Sequence, residues 1–304
     1  MTKKIYIHCD GGFGNRFNSL TVGLLVAEKG GFDPVILWPS TNWCRSSFSS
    51  IFKNEYNVIE QDLSYFADSP QDYSFIMHGH FSIPRSIRVV HPGGFSSIQH
   101  VVDFYNQSCK DKFVYNHDAI PPSAGWVEVR NPETKVLEQY GCTEEIMEVV
   151  RELEFSDQIT NKANVFLQHH EEFSGLHLRN TDFFDPHKPN FDELEQTVKD
   201  NPDIQYFICS DDQELEERFT QHDNAFAYPK YKYVEKLADE GEWRDHIEGP
   251  DGEEYSFNIE RSDESVIDAM VDLLILSRST IILTSESTFL KTALLMQYSN
   301  ARQE

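Results

Sequence analysis

Residues 3–16 are KKIYIHCDGGFGNR. The first seven are rich in β-forming side chains and predict a buried strand, and the glycines that follow them predict a tight turn. Apolar residues then recur at helical spacing, which predicts a helix over about 15–28. A second apolar strand is expected at 34–39. A strand, a glycine turn, a helix and a second strand are the opening of an α/β layer.

The second half of the chain alternates between strand and helix at the lengths of a parallel α/β sheet. The predicted elements are a strand ending at 176–178, a helix at 191–200, a strand at 204–209, a helix at 211–222, a strand at 224–228, a helical stripe over 266–275, a strand at 280–283 and a helix at 288–296. The polar stretch 239–263 is interpreted as a mobile loop.

The middle of the chain is less regular. Its predicted elements are strands at 74–80 and 112–115, a helix at 96–108, and two bridging helices at 143–154 and 156–169. The pattern as a whole predicts two Rossmann-like domains, one over 1–150 and one over 151–304.

Charge narrows the range of partners. The 304 residues include 51 acidic and 26 basic side chains, a formal net charge of −25. Such a surface repels nucleic-acid phosphate and anionic lipid, so neither is an expected partner. An anionic ligand would need a local site of cations or backbone N–H groups. The acidity itself is explained most simply as a means of keeping the protein in solution.

Cysteine and hydropathy patterns favour a reducing compartment. Five cysteines occur, no two of them within four residues, so neither a disulfide framework nor a zinc site is expected. No apolar run approaches the ~20 residues of a membrane span. The N-terminus offers no signal-peptide core, and a cytoplasmic protein without integral membrane association is the expectation.

Two polar segments at predicted strand ends are candidates for binding an anionic ligand. Gly12-Phe13-Gly14-Asn15-Arg16 combines a glycine turn at a helix N-terminus with two hydrogen-bond donors, although a tight turn with an Asn cap explains it equally well. In His177-Leu178-Arg179-Asn180-Thr181-Asp182, Arg179 could bind a diphosphate in bidentate fashion, and Asp182 could accept a proton or bind a hydroxyl. A surface ion pair is the alternative for this segment.

Two further segments, one at Asp211 and Asp212 and one from Asp272 to Phe289, complete the candidate site. Asp211 and Asp212 could contact a ribose or a guanine, or simply cap the following helix. Asp272 lies between apolar neighbours and needs a partner, which a base or ribose would supply. Ser287 and Thr288 precede the last helix and could form a second anion cradle. The carboxyl ends of parallel strands meet at one edge of a sheet, so these segments are expected together.

The order and spacing of these four segments resemble the fucosyltransferase superfamily of the GT-B fold. That superfamily includes the nodulation, α1,6- and α1,2-fucosyltransferases and the protein O-fucosyltransferases. The similar segments are Gly12 to Arg16, His177 to Asp182, Tyr206 to Asp212 and Asp272 to Phe289. Phe183 stands where a lysine is frequent in the family, and Asn180 where an arginine is. The resemblance implies two Rossmann-like domains facing each other across a cleft, with the acceptor on the first and the nucleotide sugar on the second.

The same resemblance implies roles for individual residues. Arg179 would bind the donor diphosphate, Asp272 the nucleoside, and Ser287 and Thr288 a phosphate, with Phe289 packing nearby. Asn15 would lie near the reacting sugar. The implied donor is GDP-β-L-fucose, transferred with inversion to a glycan-type acceptor without a metal or other cofactor. The proposed base is Asp182, Asp185 or Glu286. Another nucleotide-sugar donor, or a catalytically idle binding protein of the same fold, remains the alternative.

Overall fold

The computed structural model describes residues 3–66, 74–76, 97–108, 112–116, 126–130, 137–181, 190–249, 252 and 254–301. Its helices are α1 (Phe13–Gly30), α2 (Phe48–Ile51), α3 (Ile98–Ser108), α4 (Glu144–Glu152), α5 (Asp157–Leu167), α6 (Phe191–Asp200), α7 (Gln213–Thr220), α8 (Asp263–Leu276) and α9 (Thr288–Ala301).

The first sheet is built from the first part of the chain. Its strands are β1 (Lys4–His8), β2 (Asp33–Leu37), β3 (Asn57–Ile59), β4 (Ser74–Ile76) and β5 (Lys112–Asn116). All neighbouring strands are parallel, in the order β3-β2-β1-β5-β4. A β-hairpin of β6 (Trp126–Arg130) and β7 (Leu137–Cys142) follows.

The second sheet is also parallel and has the order β10-β9-β8-β13. Its strands are β8 (Ser174–Leu178), β9 (Tyr206–Ser210), β10 (Ala225–Phe226) and β13 (Thr280–Ile282). A short hairpin, β11 (Ile247–Glu248) with β12 (Glu254–Tyr255), lies within the stretch predicted to be a loop. The predicted alternation of strands and helices is therefore present. The order of the strands reverses once in each sheet, between β1 and β5 in the first and between β8 and β13 in the second.

The sheets are covered on both faces, as continuous apolar strands require. In β1, Ile5 and Ile7 point into a large core shared with the helices, whereas Tyr6 packs on the opposite face against Phe66. The second sheet has its own outer cluster around Phe219 of α7. Burying each such large side chain contributes roughly 1.5–3 kcal/mol, so these cores hold the strand ends in place.

The two halves of the chain share one core and are joined directly. α9 packs against α1 and α4, so the last helix lies on the first half. The segment 42–45 is bonded to 259–261 through the Arg45 N–H to the Arg261 carbonyl at 3.0 Å and the Asn42 side chain to the Ile259 carbonyl at 3.1 Å. Arg45 also forms a bidentate pair with Glu260, at 2.8 and 3.1 Å. These bonds fix the spacing of the sheets on either side of the cleft.

Within the described residues, no helix is both long enough and apolar enough to pass through a bilayer.

Candidate functional site

A cavity of about 650 Å³ lies where the carboxyl ends of the two sheets face each other. Ligands of open α/β sheets bind at such strand ends, at the point where strand order reverses, and β1, β8 and β13 all end here. The volume is typical of a small-molecule site. The predicted site residues that line the cavity are Gly12, Gly14, Asn15, His177, Arg179, Asp211, Asp272, Ser287, Thr288 and Phe289.

The glycine turn between β1 and α1 forms one wall of the cavity. Gly11 has a φ of +78°, a conformation that side chains rarely adopt, and it brings the chain sharply from strand to helix. Gly12 is the N-cap of α1 and carries no side chain that could satisfy the first N–H groups. The Asn15 amide lies beside Gly11. The first turn of α1 therefore presents backbone N–H groups and an amide to the cavity.

Arg16 belongs to the same motif but does not line the cavity. It is fully buried, and it donates from Nε to the Gly11 carbonyl at 2.8 Å and from Nη1 to the Pro39 carbonyl at 2.7 Å. Its guanidinium also lies over the Trp38 ring, 5.0 Å from the centroid. In the structure Arg16 ties the turn after β1 to the segment after β2, and its predicted contact with a ligand stays a prediction.

Arg179 follows β8 and points into the cavity. Its side chain is 17% exposed, and its Nε lies 3.2 Å from Asp211 Oδ2. Asp211 also accepts from the Asn180 N–H at 2.8 Å and from the Thr181 hydroxyl at 2.6 Å. Asp211 thus orients both Arg179 and the residues that follow it, so the guanidinium is held at the carboxyl end of β8.

Asp212 does not line the cavity. Its Oδ1 accepts from the Leu215 N–H at 3.0 Å, which makes it the N-cap of α7, and its Oδ2 accepts from the Asn180 side chain at 2.6 Å. The alternative stated for Asp212, a helix cap, is therefore observed, and its contact with a ribose or guanine stays a prediction.

His177 lies beneath the cavity in β8. It is 3% exposed, and its ring stacks on Phe289 with centroids 5.1 Å apart. Its Nδ1 lies 3.3 Å from the Ser287 hydroxyl. Burial, assisted by the nearby Arg179 charge, lowers the pKa of His177 from 6.5 to about 3. The imidazole is therefore neutral at physiological pH and adds no charge to the site.

The N-terminus of α9 forms the wall next to the glycine turn. Ser287 is buried, and its hydroxyl accepts from the Leu290 N–H at 3.2 Å, so it caps the helix. Thr288 is exposed to the cavity and lies against Gly14. The N-termini of α1 and α9 and the Arg179 guanidinium all face one cavity, and each favours an anion there.

A buried charge cluster at the other end of the cavity was not predicted as a unit. Lys230 Nζ lies 2.8 Å from Asp272 Oδ2 and also contacts Glu216 Oε2. Glu216 accepts in addition from the Tyr233 hydroxyl and from the Ser210 N–H at 3.1 Å. Only Asp272 of this set was predicted. Lys230 follows the predicted strand 224–228, and the strand-end rule applied there would have found it.

The charge of Asp272 depends on this cluster. Its side chain is 2% exposed, and burial raises its pKa, as does Glu216, whereas Lys230 lowers it. Since one lysine is shared between two carboxylates, the net effect is a rise from 3.8 to about 7. At Lys230, burial lowers the pKa but the two carboxylates outweigh it and raise it. Asp272 Oδ1 has no hydrogen-bond partner in the part of the chain that the structure describes.

The residues predicted as the catalytic base differ in whether the structure describes them and whether they line the cavity. Asp182 and Asp185 lie outside the described residues. Glu286 is described but does not line the cavity, whereas Asp10 and Asp62 of the first half do. Trp43 and Phe257, with ring centroids 4.9 Å apart, add an apolar wall between the halves. Among the described residues, no group of three or more His, Cys, Asp or Glu side chains is arranged to hold a metal ion.

Comparison with known proteins gives matches to solved structures only. No protein-family profile matches the sequence, and no curated protein matches it. The fucosyltransferase NodZ from Bradyrhizobium matches over 97% of this chain and 94% of its own, with 13% identity and a TM-score of 0.54. NodZ α-1,6-fucosyltransferase soaked with GDP-fucose matches with the same identity and TM-score over 93% of its chain. POFUT1 in complex with GDP-fucose matches over 97% and 94%, with 13% identity and a TM-score of 0.51.

These likenesses extend over nearly the whole of each chain. The protein therefore has the fold of these fucosyltransferases, and the predicted α/β GT-B fold class is confirmed.

Proposed function

We propose that the protein is a glycosyltransferase that transfers L-fucose from GDP-fucose to a hydroxyl of a glycan-type acceptor. The observation that carries the proposal is the convergence of Arg179, the N-termini of α1 and α9, and the buried carboxylate of Asp272 in one cavity. That arrangement offers an anion site at one end and a hydrogen-bond acceptor for a nucleoside at the other. The fold neighbours crystallised with GDP-fucose support the choice of donor.

The proposed reaction is a single in-line displacement. The acceptor hydroxyl attacks the anomeric carbon and gives up its proton to a carboxylate base, for which Asp182, Asp185 and Glu286 stay the predicted candidates. The bond from the anomeric carbon to the diphosphate breaks, and GDP leaves with the bonding electron pair. Negative charge grows on the leaving diphosphate, so fixed positive charge has its largest effect there. The position of Arg179, held by Asp211 at 3.2 Å in the cavity that the two helix N-termini also line, supports this proposed role.

The remaining predicted contacts complete the proposal. Asn15 lies on the wall formed by the first half and would orient the acceptor or the fucose, while Ser287 and Thr288 would bind a phosphate. Phe289 supports His177 by stacking, and through it the end of β8. The protein surface, at a net charge of −25, repels a nucleotide sugar, so binding depends on this local site. Inversion, metal independence and a cytoplasmic location stay part of the proposal.

A panel of nucleotide sugars tests the proposed donor and the proposed transfer activity. The purified protein is titrated with GDP-fucose, GDP-mannose, UDP-glucose, ADP-glucose and TDP-glucose while thermal unfolding is followed, and the release of nucleoside diphosphate is then assayed with glycan acceptors. Stabilisation by GDP-sugars, with GDP released from GDP-fucose, is the expected result. A response to UDP-glucose alone would refute the donor, and GDP binding without turnover on any acceptor would favour an idle binding protein.

A further inference from the structure

Lys230 lies between two acidic side chains at the nucleoside end of the cavity. Its side chain and that of Glu216 are each 4% exposed, and that of Asp272 is 2% exposed. The ammonium also lies 5.0 Å from the centre of the Tyr233 ring. Burying a lysine costs free energy unless it is paired, and here both neighbouring carboxylates pair with it.

The two carboxylates differ in whether both of their oxygens accept a hydrogen bond from the described residues. Glu216 accepts from Lys230, Tyr233 and the Ser210 N–H, so both of its oxygens are engaged. Asp272 engages Lys230 through Oδ2, while its buried Oδ1 has no hydrogen-bond partner among the described residues. A buried acceptor without a donor is costly, and Asp272 lines the cavity. Oδ1 is therefore the acceptor that the cluster offers to a ligand.

We propose that Lys230 is a positioning residue for donor binding, which holds Asp272 as a carboxylate through Oδ2 and leaves Oδ1 to accept from an N–H or O–H of the nucleoside. This inference rests on the proposed function, since it assigns a residue to the donor site. Lys230 makes its contacts through Asp272 and Glu216, so its effect on the donor is indirect.

The electrostatics of the cluster give this inference a measurable signature. The groups facing Asp272 are Lys230, Glu216, Tyr233, Tyr228 and Cys209. The pKa values of both tyrosines and of the cysteine are raised, chiefly by burial, so these groups stay neutral at neutral pH. Without Lys230, burial and the Glu216 charge, which raise the pKa of Asp272, are opposed by the weaker effect of the Cys209 hydrogen bond. The pKa of Asp272 then moves above 7, and the carboxylate is protonated at neutral pH.

The test is the pH dependence of GDP-fucose affinity, measured by calorimetry from about pH 5.5 to 9. GDP-fucose is used because, unlike a terminal phosphate with a pKa of about 6, neither of its phosphates titrates in this range. The proteins are the wild type, Lys230→Met, Lys230→Arg, Asp272→Asn and Lys162→Met. Lys162 is the matched control, because it pairs with another buried aspartate of α8, Asp268, at 3.3 Å, and does not line the cavity.

The wild-type affinity is expected to fall up to about tenfold per pH unit below 7, because binding needs the ionised Asp272. In Lys230→Met the fall is expected to begin at least about one unit higher, while Lys230→Arg and Lys162→Met keep the wild-type midpoint. In Asp272→Asn the dependence should vanish. Where Lys230→Met does not fold, Lys230→Arg and Asp272→Asn still test the inference. A cation at position 230 should keep the wild-type midpoint, and loss of the carboxylate at position 272 should remove the pH dependence.

Two results would overturn the inference alone. One is a uniform loss of affinity in Lys230→Met with an unchanged midpoint, which is what a merely structural lysine would give. The other is an undiminished pH dependence in Asp272→Asn. A wild-type protein that binds no GDP-fucose at any pH would overturn the proposed function together with this inference.

Discussion

Gly14 lies directly against Thr288. A Cβ built on Gly14 would lie 2.6 Å from both the Thr288 carbonyl carbon and its Oγ1, and 2.8 Å from the Phe289 nitrogen. The N-terminus of α1, from the first half, thus meets the N-terminus of α9 at the edge of the cavity. Only a residue without a side chain permits this approach, which places two sets of helix N–H groups at one anion site.

Gly14→Ala should therefore destabilise the protein by about 1–3 kcal/mol, because the added methyl group collides with backbone that is held by the α9 core. Urea unfolding measures the change. GDP affinity should fall as well, since the start of α9 is displaced. Gly12→Ala is the matched control, because a Cβ there meets no atom within 4 Å and its φ of −68° suits alanine. Equal losses in the two variants would contradict the argument from close approach.

Arg179→Ala should lower the turnover of GDP-fucose on the order of 10²–10³-fold, the usual effect of removing one preorganised donor from a developing charge. The release of GDP under saturating donor measures it. Arg218→Ala is the control, because Arg218 pairs with Glu195 on the surface of the second half, away from the cavity. Near-normal turnover in Arg179→Ala would remove Arg179 from the mechanism.

Local patterns were sufficient to predict most of the fold. The strand at the start of the chain, the glycine turn and the helix that follows are encoded by neighbouring residues, and helix 191–200 was predicted with its observed bounds. The three-residue strand β3 and the β6–β7 hairpin were missed, because short strands carry little periodic signal. The pairing of Arg45 with Glu260 could not be predicted from local patterns, because the two residues are 215 positions apart in the sequence.

Local motifs were sufficient to predict two side chains that line the cavity. Arg179 was chosen because it follows a strand, and Asp272 because it lies between apolar neighbours on a helix. The buried position of Arg16 was not predicted, because an arginine beside a glycine turn has the same local pattern whether it points toward a ligand or into the protein. Lys230 was missed because the strand-end rule was not applied after the predicted strand 224–228. Its pairing with Glu216 and Asp272, which come from α7 and α8, has no local signal, since only the folded chain brings the three together.

Arg16→Lys tests the structural role assigned to that residue. Lysine cannot reproduce the fork that reaches the Gly11 and Pro39 carbonyls, so the variant should lose about 2–4 kcal/mol of stability in urea unfolding. The control is Arg218→Lys, which keeps a partly exposed charge pair and should change stability by less than about 1 kcal/mol. Unchanged stability with weakened GDP binding would instead show that Arg16 contacts the ligand.

His177 makes the stability of the protein sensitive to acid. Its pKa is lowered from 6.5 to about 3 by burial and then by Arg179, so the unfolded chain binds a proton more tightly than the folded one. Stability is therefore lost as pH falls below 6.5, by about 2 kcal/mol at pH 5, and His177→Gln should remove that part of the loss. Urea unfolding of both proteins at pH 7 and pH 5 measures the difference. The exposed His169, changed to Gln, is the control and should leave the acid sensitivity as it is in the wild type. An equal loss of stability between pH 7 and pH 5 in wild type and His177→Gln would show that the folded protein accommodates a charged imidazole at the end of β8.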